Sequence, residues 1–303
     1  PILLIGFNRP DTTQQAIDKI RAVQPAKLYV AVDGPRYNKP GEAELVKSVR
    51  QIVQQIDWPC NVKYLFRENN LGCKLGVTSA ISWALTNEDR IIIIEDDIVA
   101  APSFFYFAEV LLEKYKDDHR IAMISANNYT PINSVDSDYL LSKYGHIWGW
   151  ATWKRVWAKF DVDIPYLKRD IENNHLKTLG LPNDEMRYLR KYAKNILFLI
   201  ENDKINTWDY QFAYYRVRNN LLSIVPRINL ASNIGTSSSR TDSVNASNEN
   251  YYPADDSFVL LKHPTRVEHD KAYDHYHFKK HLNKRTPFIT RVHNKIIRTL
   301  KLK

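Results

Sequence analysis

The chain has 303 residues, 44% of them hydrophobic, enough to bury one large core, or two lobes sharing an interface, without disulfide or metal staples. Its net charge of +9 is local, because segment 279–303 holds nine Lys/Arg and no carboxylate while residues 1–278 balance at 34 against 34. This argues against a basic groove across the main body, and so against a nucleic-acid partner, and leaves a separate basic tail.

Along the first 130 residues, apolar strand-like runs alternate with helical patterns. The expected elements are Ile2–Gly6, Asp11–Val23, Lys27–Asp33, Glu42–Ile56, Asn61–Phe66, Gly76–Thr86, Arg90–Glu95, Ser103–Tyr115 and Ile121–Ser125. In the second helix Leu45, Val49, Ile52, Val53 and Ile56 are expected on one stripe. Ile91–Ile94 is continuously apolar, as a parallel strand covered on both faces would be. The pattern predicts an α/β fold with a doubly wound, mostly parallel sheet and ligands at the carboxyl ends of its strands.

After Ala126 the pattern loosens into Asn, Ser, Tyr and Trp, then gives helix-like stretches at Asp184–Ile200 and Trp208–Arg218. The expected organisation is a nucleotide-binding half over 1–128, an acceptor-binding half over 129–265 and a basic helical tail over 266–303. Asn233–Ala254, rich in Ser, Asn and Thr, reads either as a lid over a donor site or as a plain surface loop. Phe288, Ile289, Val292, Ile296 and Leu300 share one helical face beside Lys and Arg, which fits an interfacial membrane helix, a solvated tail or a helix packed on the core.

No apolar run approaches the roughly 20 residues of a membrane span. Cys60 and Cys73 form no CxxC pair and no zinc-spaced cluster. The expected location is therefore the cytoplasm, with peripheral attachment to the inner face of the plasma membrane through the tail. Asn128-Tyr-Thr and Asn245-Ala-Ser would be glycosylation acceptors only in a secreted chain.

The turn after the first strand, Gly6-Phe7-Asn8-Arg9-Pro10, is not a glycine-rich phosphate loop, and no Walker sequence occurs. A bound diphosphate would need positive charge from elsewhere. The fourth strand runs straight into Glu95-Asp96-Asp97. Three adjacent carboxylates at a buried strand end repel one another unless a cation or hydrogen-bond donors compensate, and Mg²⁺ or Mn²⁺ shared with phosphate oxygens would do so. A solvated acidic turn capping the next helix is the alternative.

Two further readings come from the residues. Lys74 is either a phosphate contact or a surface lysine. Asp209, between Trp208 and Tyr210, is the candidate general base, where aromatic neighbours would raise its pKa, or else a helix cap; Asp184 and Glu185 stand in reserve. Trp148, Trp150, Trp153 and Trp157 crowd into ten residues of a chain holding seven Trp, so Trp150 and Trp208 are candidates to stack on sugar, unless Trp150, Trp153 and Trp157, at helical spacing, are one packed stripe.

The segment Ile91–Phe107, with its acidic triplet, then Pro102, then an aromatic cluster, resembles the metal-site segment of bacterial family 2-like sugar transferases. It also resembles that of the family 13-like animal alpha-mannoside beta-1,2-N-acetylglucosaminyltransferases. Similarity extends to Pro1–Pro10, Val32–Gly34, Arg67–Gly72, Gly149–Trp157, Thr207–Gln211 and Pro226–Gly235, and the tail lies outside it. The resemblance implies a GT-A fold and an inverting, metal-dependent glycosyltransferase. Its donor would be a nucleotide sugar, with UDP preferred, and its acceptor a glycan or lipid-linked glycan of a bacterial surface polysaccharide.

By position, the resemblance further implies Asp97 as direct ligand of Mn²⁺ or Mg²⁺. Glu95 and Asp96 would serve the ribose and base side, and Arg9 and Asp33 the uridine. Asp33-Gly34-Pro35 is also a good turn sequence. Some relatives add a late histidine ligand, for which His263 and His269 are the positions available. A sugar-phosphate nucleotidyltransferase is the alternative enzyme, but its glycine-rich, basic signature after the first strand is missing; a non-enzymatic basic protein binding nucleic acid or anionic membrane is the third reading, against which the confinement of charge to the tail argues.

Overall fold

The computed structural model describes residues 1–130, 136–235 and 253–283. Four parallel strands come first: β1 (Ile2–Gly6), β2 (Lys27–Val32), β3 (Asn61–Phe66) and β4 (Arg90–Glu95). Helices α1 (Pro10–Val23), α2 (Glu42–Gln54) and α3 (Gly72–Asn87) connect them. They pair in the spatial order β3-β2-β1-β4, with Ile2 opposite both Leu28 and Ile92. The chain thus winds one way from β1 to β3 and then crosses back to lay β4 against β1. Right-handed crossovers place α1 and α2 on one face and α3 on the other, and open a crevice at the carboxyl ends of β1 and β4.

Ile91–Ile94 are each at most 6% exposed, so every side chain of this run is covered whichever way it points. Burial of that kind contributes roughly 1.5–3 kcal/mol per side chain. The stripe of α2 differs from expectation: Val46, Val49 and Val53 are buried, and Leu45 is 44% exposed. The helix is rotated so that its smaller β-branched face meets α1 and β2.

Strands the sequence pattern did not announce extend the main sheet and form a separate two-stranded one. These are β5 (Ile98–Ala100), β7 (Tyr139–Ser142), β8 (Trp150–Trp153), β9 (Leu222–Pro226) and β10 (Ala231–Asn233), with β6 (Ile121–Ser125) as expected; β10 and β5 make the separate sheet. The eight-stranded order is β3-β2-β1-β4-β8-β6-β9-β7, in which β8 runs antiparallel between β4 and β6, and β7 antiparallel to β9. The architecture is a mixed α/β fold around a large, mostly parallel sheet. Three of the eight strands come from the part beyond residue 128, so one sheet carries both expected halves.

Helices α4 (Pro102–Lys114) and α5 (Lys154–Trp157) pack on the sheet. A second small core, including Ile164, Leu167, Leu189, Ile196 and Tyr214, joins α6 (Leu167–Glu172), α7 (Asn183–Glu201) and α8 (Asp209–Arg218). Arg218 clamps α8 to α6 by donating to Asp170 at 2.5 Å. The described start of the basic tail, α9 (Lys271–His277), docks on β7, with Asp274 accepting from Ser142 at 2.5 Å.

The amphipathic run from Phe288 and most of the Ser/Asn-rich stretch, residues 236–252, lie outside the described residues, as does Asn245. Asn128 is buried and spends its amide on the carbonyls of Pro226 and Arg227, so it offers no glycosylation acceptor. Among the described residues no helix is long and apolar enough to cross a membrane, and both cysteines are free.

Candidate functional site

At the crevice, the loop after β1 and the acidic end of β4 hold each other. The Phe7 N–H donates to Asp96 Oδ2 at 2.9 Å, and Arg9 Nη1 lies 2.5 Å from Asp97 Oδ2 and 3.4 Å from Asp96 Oδ1. The antiparallel pair β5–β10 then brings Asn233–Gly235 over this ion pair, and Ile234 N–H donates to the Asp97 carbonyl at 2.9 Å. Gly235 is required there: a Cβ would sit 2.2 Å from Asp97 Oδ2 and 2.9 Å from Arg9 Nη1.

The resulting cleft of about 360 Å³ is lined by Arg9, Asp33, Glu95, Asp96, Asp97, Trp208 and Asp209, together with Arg36, Arg67, Asn70 and Cys73. Seven of the residues expected from sequence therefore meet in one place. Two do not. Lys74 gives its ammonium to Asp163 at 2.6 Å and does not line the cleft, because its position in the first turn of α3 turns it toward the Asp161–Asp163 turn instead of toward the carboxylates. Trp150 and Trp208 are both fully buried, at 0% and 1% exposure, with their rings 5.5 Å apart and nearly parallel, so they pack on each other in the core and neither offers a face to a sugar, although Trp208 borders the cleft. Trp148, half-buried, is the tryptophan of this cluster that lines the cleft.

The Asp33 carboxylate is already filled. It accepts from the N–H groups of Gly34, Leu71 and Gly72 and from the Asn70 amide, at 3.0–3.1 Å. A carboxylate offers about four acceptor sites, so Asp33 ties the end of β2 to the start of α3 and has no capacity left for uracil. Gly34 allows this approach, since a Cβ would lie 2.4 Å from the Asn69 backbone. Burial pushes the Asp33 carboxyl up, and these donors pull the other way.

Negative charge exceeds positive charge at the crevice. Burial, then the adjacent charges of Asp97 and Asp96, hold the Glu95 carboxyl well above the usual range, with Arg9 opposing and Asp209 adding to the shift. Burial pushes Asp96 up to about 6 against the pull of Arg9. Arg9 stays charged: burial works against it, but Asp96 and Asp97 outweigh that and raise its pKa. Arg36 is spent on Glu42, its Nη2 reaching Oε1 at 2.5 Å, and Arg67 donates to Ser79 at 2.8 Å.

Among the described residues, no group of three or more His, Cys, Asp or Glu side chains is disposed to hold a metal alone. His263 meets the Tyr139 hydroxyl at 2.9 Å and His269 meets Asp274 at 2.7 Å; neither lines the cleft, so neither completes a ligand set there. The uncompensated carboxylates fit an ion that draws part of its coordination from phosphate oxygens, the usual arrangement for Mg²⁺ at a nucleotide.

Asp209 opens α8, and its Oδ1 accepts the hydroxyl of Thr207. A second cavity of about 380 Å³ adjoins the first, and Asp209, Ile147 and Trp148 line both. Tyr188, Tyr192 and Tyr210 line the second cavity, giving it aromatic faces of the kind that stack on sugars. Of the reserve carboxylates, Asp184 pairs with Lys279 and Glu185 accepts from Tyr144 at 3.0 Å, and neither lines the two cavities.

Arg36, Asn233 and Gly235 had no assigned role in the sequence reading. Gly235 closed the last of the similar segments, which was the one signal available for it.

Fold and cleft together define an α/β protein with a carboxylate-lined crevice where its sheet reverses direction. No family model matches the chain, and no curated protein matches it. It is similar to UDP-glucose pyrophosphorylase complexed with UDP-glucose, at 13% identity and a TM-score of 0.27, over 46% of this chain and 62% of that one. The chain thus spans less than two thirds of that structure's length. A cytidylyltransferase from Leptospira borgpetersenii matches at 10% and 0.32 over 57% and 71% of the two chains. Mouse xyloside xylosyltransferase 1 in its apo form matches at 9% and 0.36 over 73% and 83%. Likeness at this level carries no argument about activity, and the functional reading rests on the cavities.

Proposed function

We propose that this protein is an inverting, metal-assisted glycosyltransferase of the GT-A class. It would move a sugar from a nucleoside diphosphate, with UDP preferred, to a hydroxyl of a glycan or lipid-linked glycan in bacterial surface polysaccharide synthesis. The observation that carries the reading is that Asp209 lines two adjoining cavities, one walled by the acidic strand end and one by aromatic rings. A donor in the first and an acceptor in the second would meet at that carboxylate.

Thr207 holds Oδ1 of Asp209, which leaves Oδ2 to take the acceptor proton as the hydroxyl oxygen attacks the anomeric carbon. The bond to the diphosphate breaks on the opposite face. Asp97, with Glu95 and Asp96 beside it, would hold a Mn²⁺ or Mg²⁺ ion, which supplies positive charge to the departing diphosphate. Arg9 keeps Asp96 and Asp97 in position, and Arg67, whose side-chain partner Ser79 is neutral, adds cationic surface around the nucleotide. Trp148, at the junction, takes the stacking role expected of Trp150.

Thermal shift with UDP, GDP and dTDP, with and without Mn²⁺, tests the reading. Metal-dependent stabilisation by one nucleotide is expected, and no response to any of them refutes it. Asp97→Asn should lose metal-assisted nucleotide binding. Asp209→Asn should keep that binding and lose transfer by about 10²–10⁴-fold; transfer at the wild-type rate would remove Asp209 as base. Pyrophosphate release from UTP and a sugar 1-phosphate, without turnover of any UDP-sugar, would instead identify a nucleotidyltransferase.

A further inference from the structure

The second cavity contains a cation that no carboxylate among the described residues pairs with, its guanidinium lying 5.5 Å from the centre of the Phe212 ring. Arg216 on α8 lines it and is 4% exposed. Its Nη1 donates to the Ser223 hydroxyl at 2.5 Å and its Nη2 to the Gly145 carbonyl at 3.3 Å, both neutral partners, and its Nε is buried without a hydrogen bond. A buried guanidinium normally sits against a carboxylate, because desolvation is otherwise uncompensated. The other arginine of this helix obeys that rule: Arg218 pairs with Asp170.

Two further nitrogens point the same way. His146 and His277 line the cavity with rings 5.0 Å apart, and each has a buried Nε2 without a hydrogen bond. Lys143 lines it as well. Asp209, at the junction with the donor cleft, is the one carboxylate among the described lining residues. Glu185 and Asp274, the nearby acids, are engaged by Tyr144 and by Ser142 and His269.

We infer that this cavity binds an anionic group of the acceptor, a phosphate or a carboxylate, with Arg216 as its counter-ion and His146 and His277 as further donors. The acceptor role rests on the transferase reading, whereas the oxyanion site does not. An oxyanion there would accept from the free Arg216 Nε–H and from the imidazole Nε2–H groups, which is the strongest class of hydrogen bond available to it. Burial lowers the Arg216 pKa to about 10, so the group remains charged at neutral pH and the need for a counter-ion persists. A phosphate of a lipid-linked or phosphorylated sugar and the carboxylate of a uronic acid share this chemistry.

Calorimetric titration of the full-length protein with glucose 1-phosphate, methyl glucuronoside and neutral methyl glucoside separates the sources. At least one anionic sugar should bind about tenfold or more tightly than methyl glucoside, and the ring signals of His146 and His277 should shift with it. In Arg216→Gln that preference should vanish. Equal affinities in the wild-type protein, or a preference that survives Arg216→Gln, overturns the inference. Should Arg216→Gln fail to fold, His146→Phe keeps the ring and removes the donor; about a threefold or larger loss of affinity for the anionic sugar is expected, and unchanged affinity overturns the inference.

UDP binding measured on the same samples keeps the two ideas apart. UDP binding without anionic preference leaves the transferase and sinks the anionic acceptor. Arg216-dependent anion binding without any nucleotide response sinks the transferase and leaves the oxyanion site.

Discussion

Gly235→Ala tests the cleft most directly, because the added atom has nowhere to go. Its Cβ would lie 2.2 Å from Asp97 Oδ2, 2.8 Å from Asp97 Cβ and 2.9 Å from Arg9 Nη1. Rotating the Asp97 carboxylate relieves the first contact but not the second, since Cβ moves only with the backbone. That backbone is held in turn by the Ile234 N–H on the Asp97 carbonyl. Either β10 lifts away or the Arg9–Asp97 pair opens.

Overpacking of this kind costs about 1–3 kcal/mol, and for a chain of this size each kcal/mol lowers Tm by about 2–4 °C. The expected result is a Tm drop of roughly 2–12 °C together with at least about tenfold weaker Mn²⁺-dependent UDP binding in calorimetry. Gly180→Ala is the control. Nothing lies within 4 Å of its added Cβ, but its φ is +61°, so it should lose about 1 kcal/mol from backbone strain and bind UDP normally. If Gly235→Ala melts and binds UDP like the wild type, the packing of Gly235 on the ion pair is refuted.

Other perturbations separate packing from chemistry. Trp150→Ala should cost about 3–5 kcal/mol in urea denaturation, as expected for a fully buried aromatic, whereas Lys74→Met should leave UDP affinity unchanged and stability within about 1 kcal/mol, because its partner Asp163 is exposed. A Lys74→Met variant with much weaker UDP binding would restore the phosphate role. Cys73 is accessible from solvent, but lost hydration and the charges of Glu95 and Asp209 push its thiol up to about 12. In a Cys60→Ser background, iodoacetamide at pH 8 should therefore find roughly 10⁻⁴ of the thiol ionised and react slowly, with labelling rising as pH increases. Mn²⁺ beside those carboxylates favours the thiolate and should accelerate labelling; rapid labelling without metal, or no acceleration with it, contradicts the electrostatics described.

The continuous run Ile91–Ile94, the presence of helices α1 and α2 and the acidic triplet at the end of β4 were legible in the sequence, because a parallel strand covered on both faces and an amphipathic helix each write their burial into local composition, although the buried face of α2 was not. Asp209 and Arg9 were legible as residues, and their meeting in one cleft was not. That meeting depends on β8 entering antiparallel between β4 and β6, and on the three-residue strands β5 and β10 pairing across 130 positions; such short segments have no local periodicity to read. Contacts made at a distance also redirected individual side chains. Asp33 was taken up by amides of the α3 start, Lys74 by Asp163, and Trp150 by the core. The lack of a counter-ion for Arg216 belongs to the same class, since a sequence names a charge but only the packed structure decides what stands next to it.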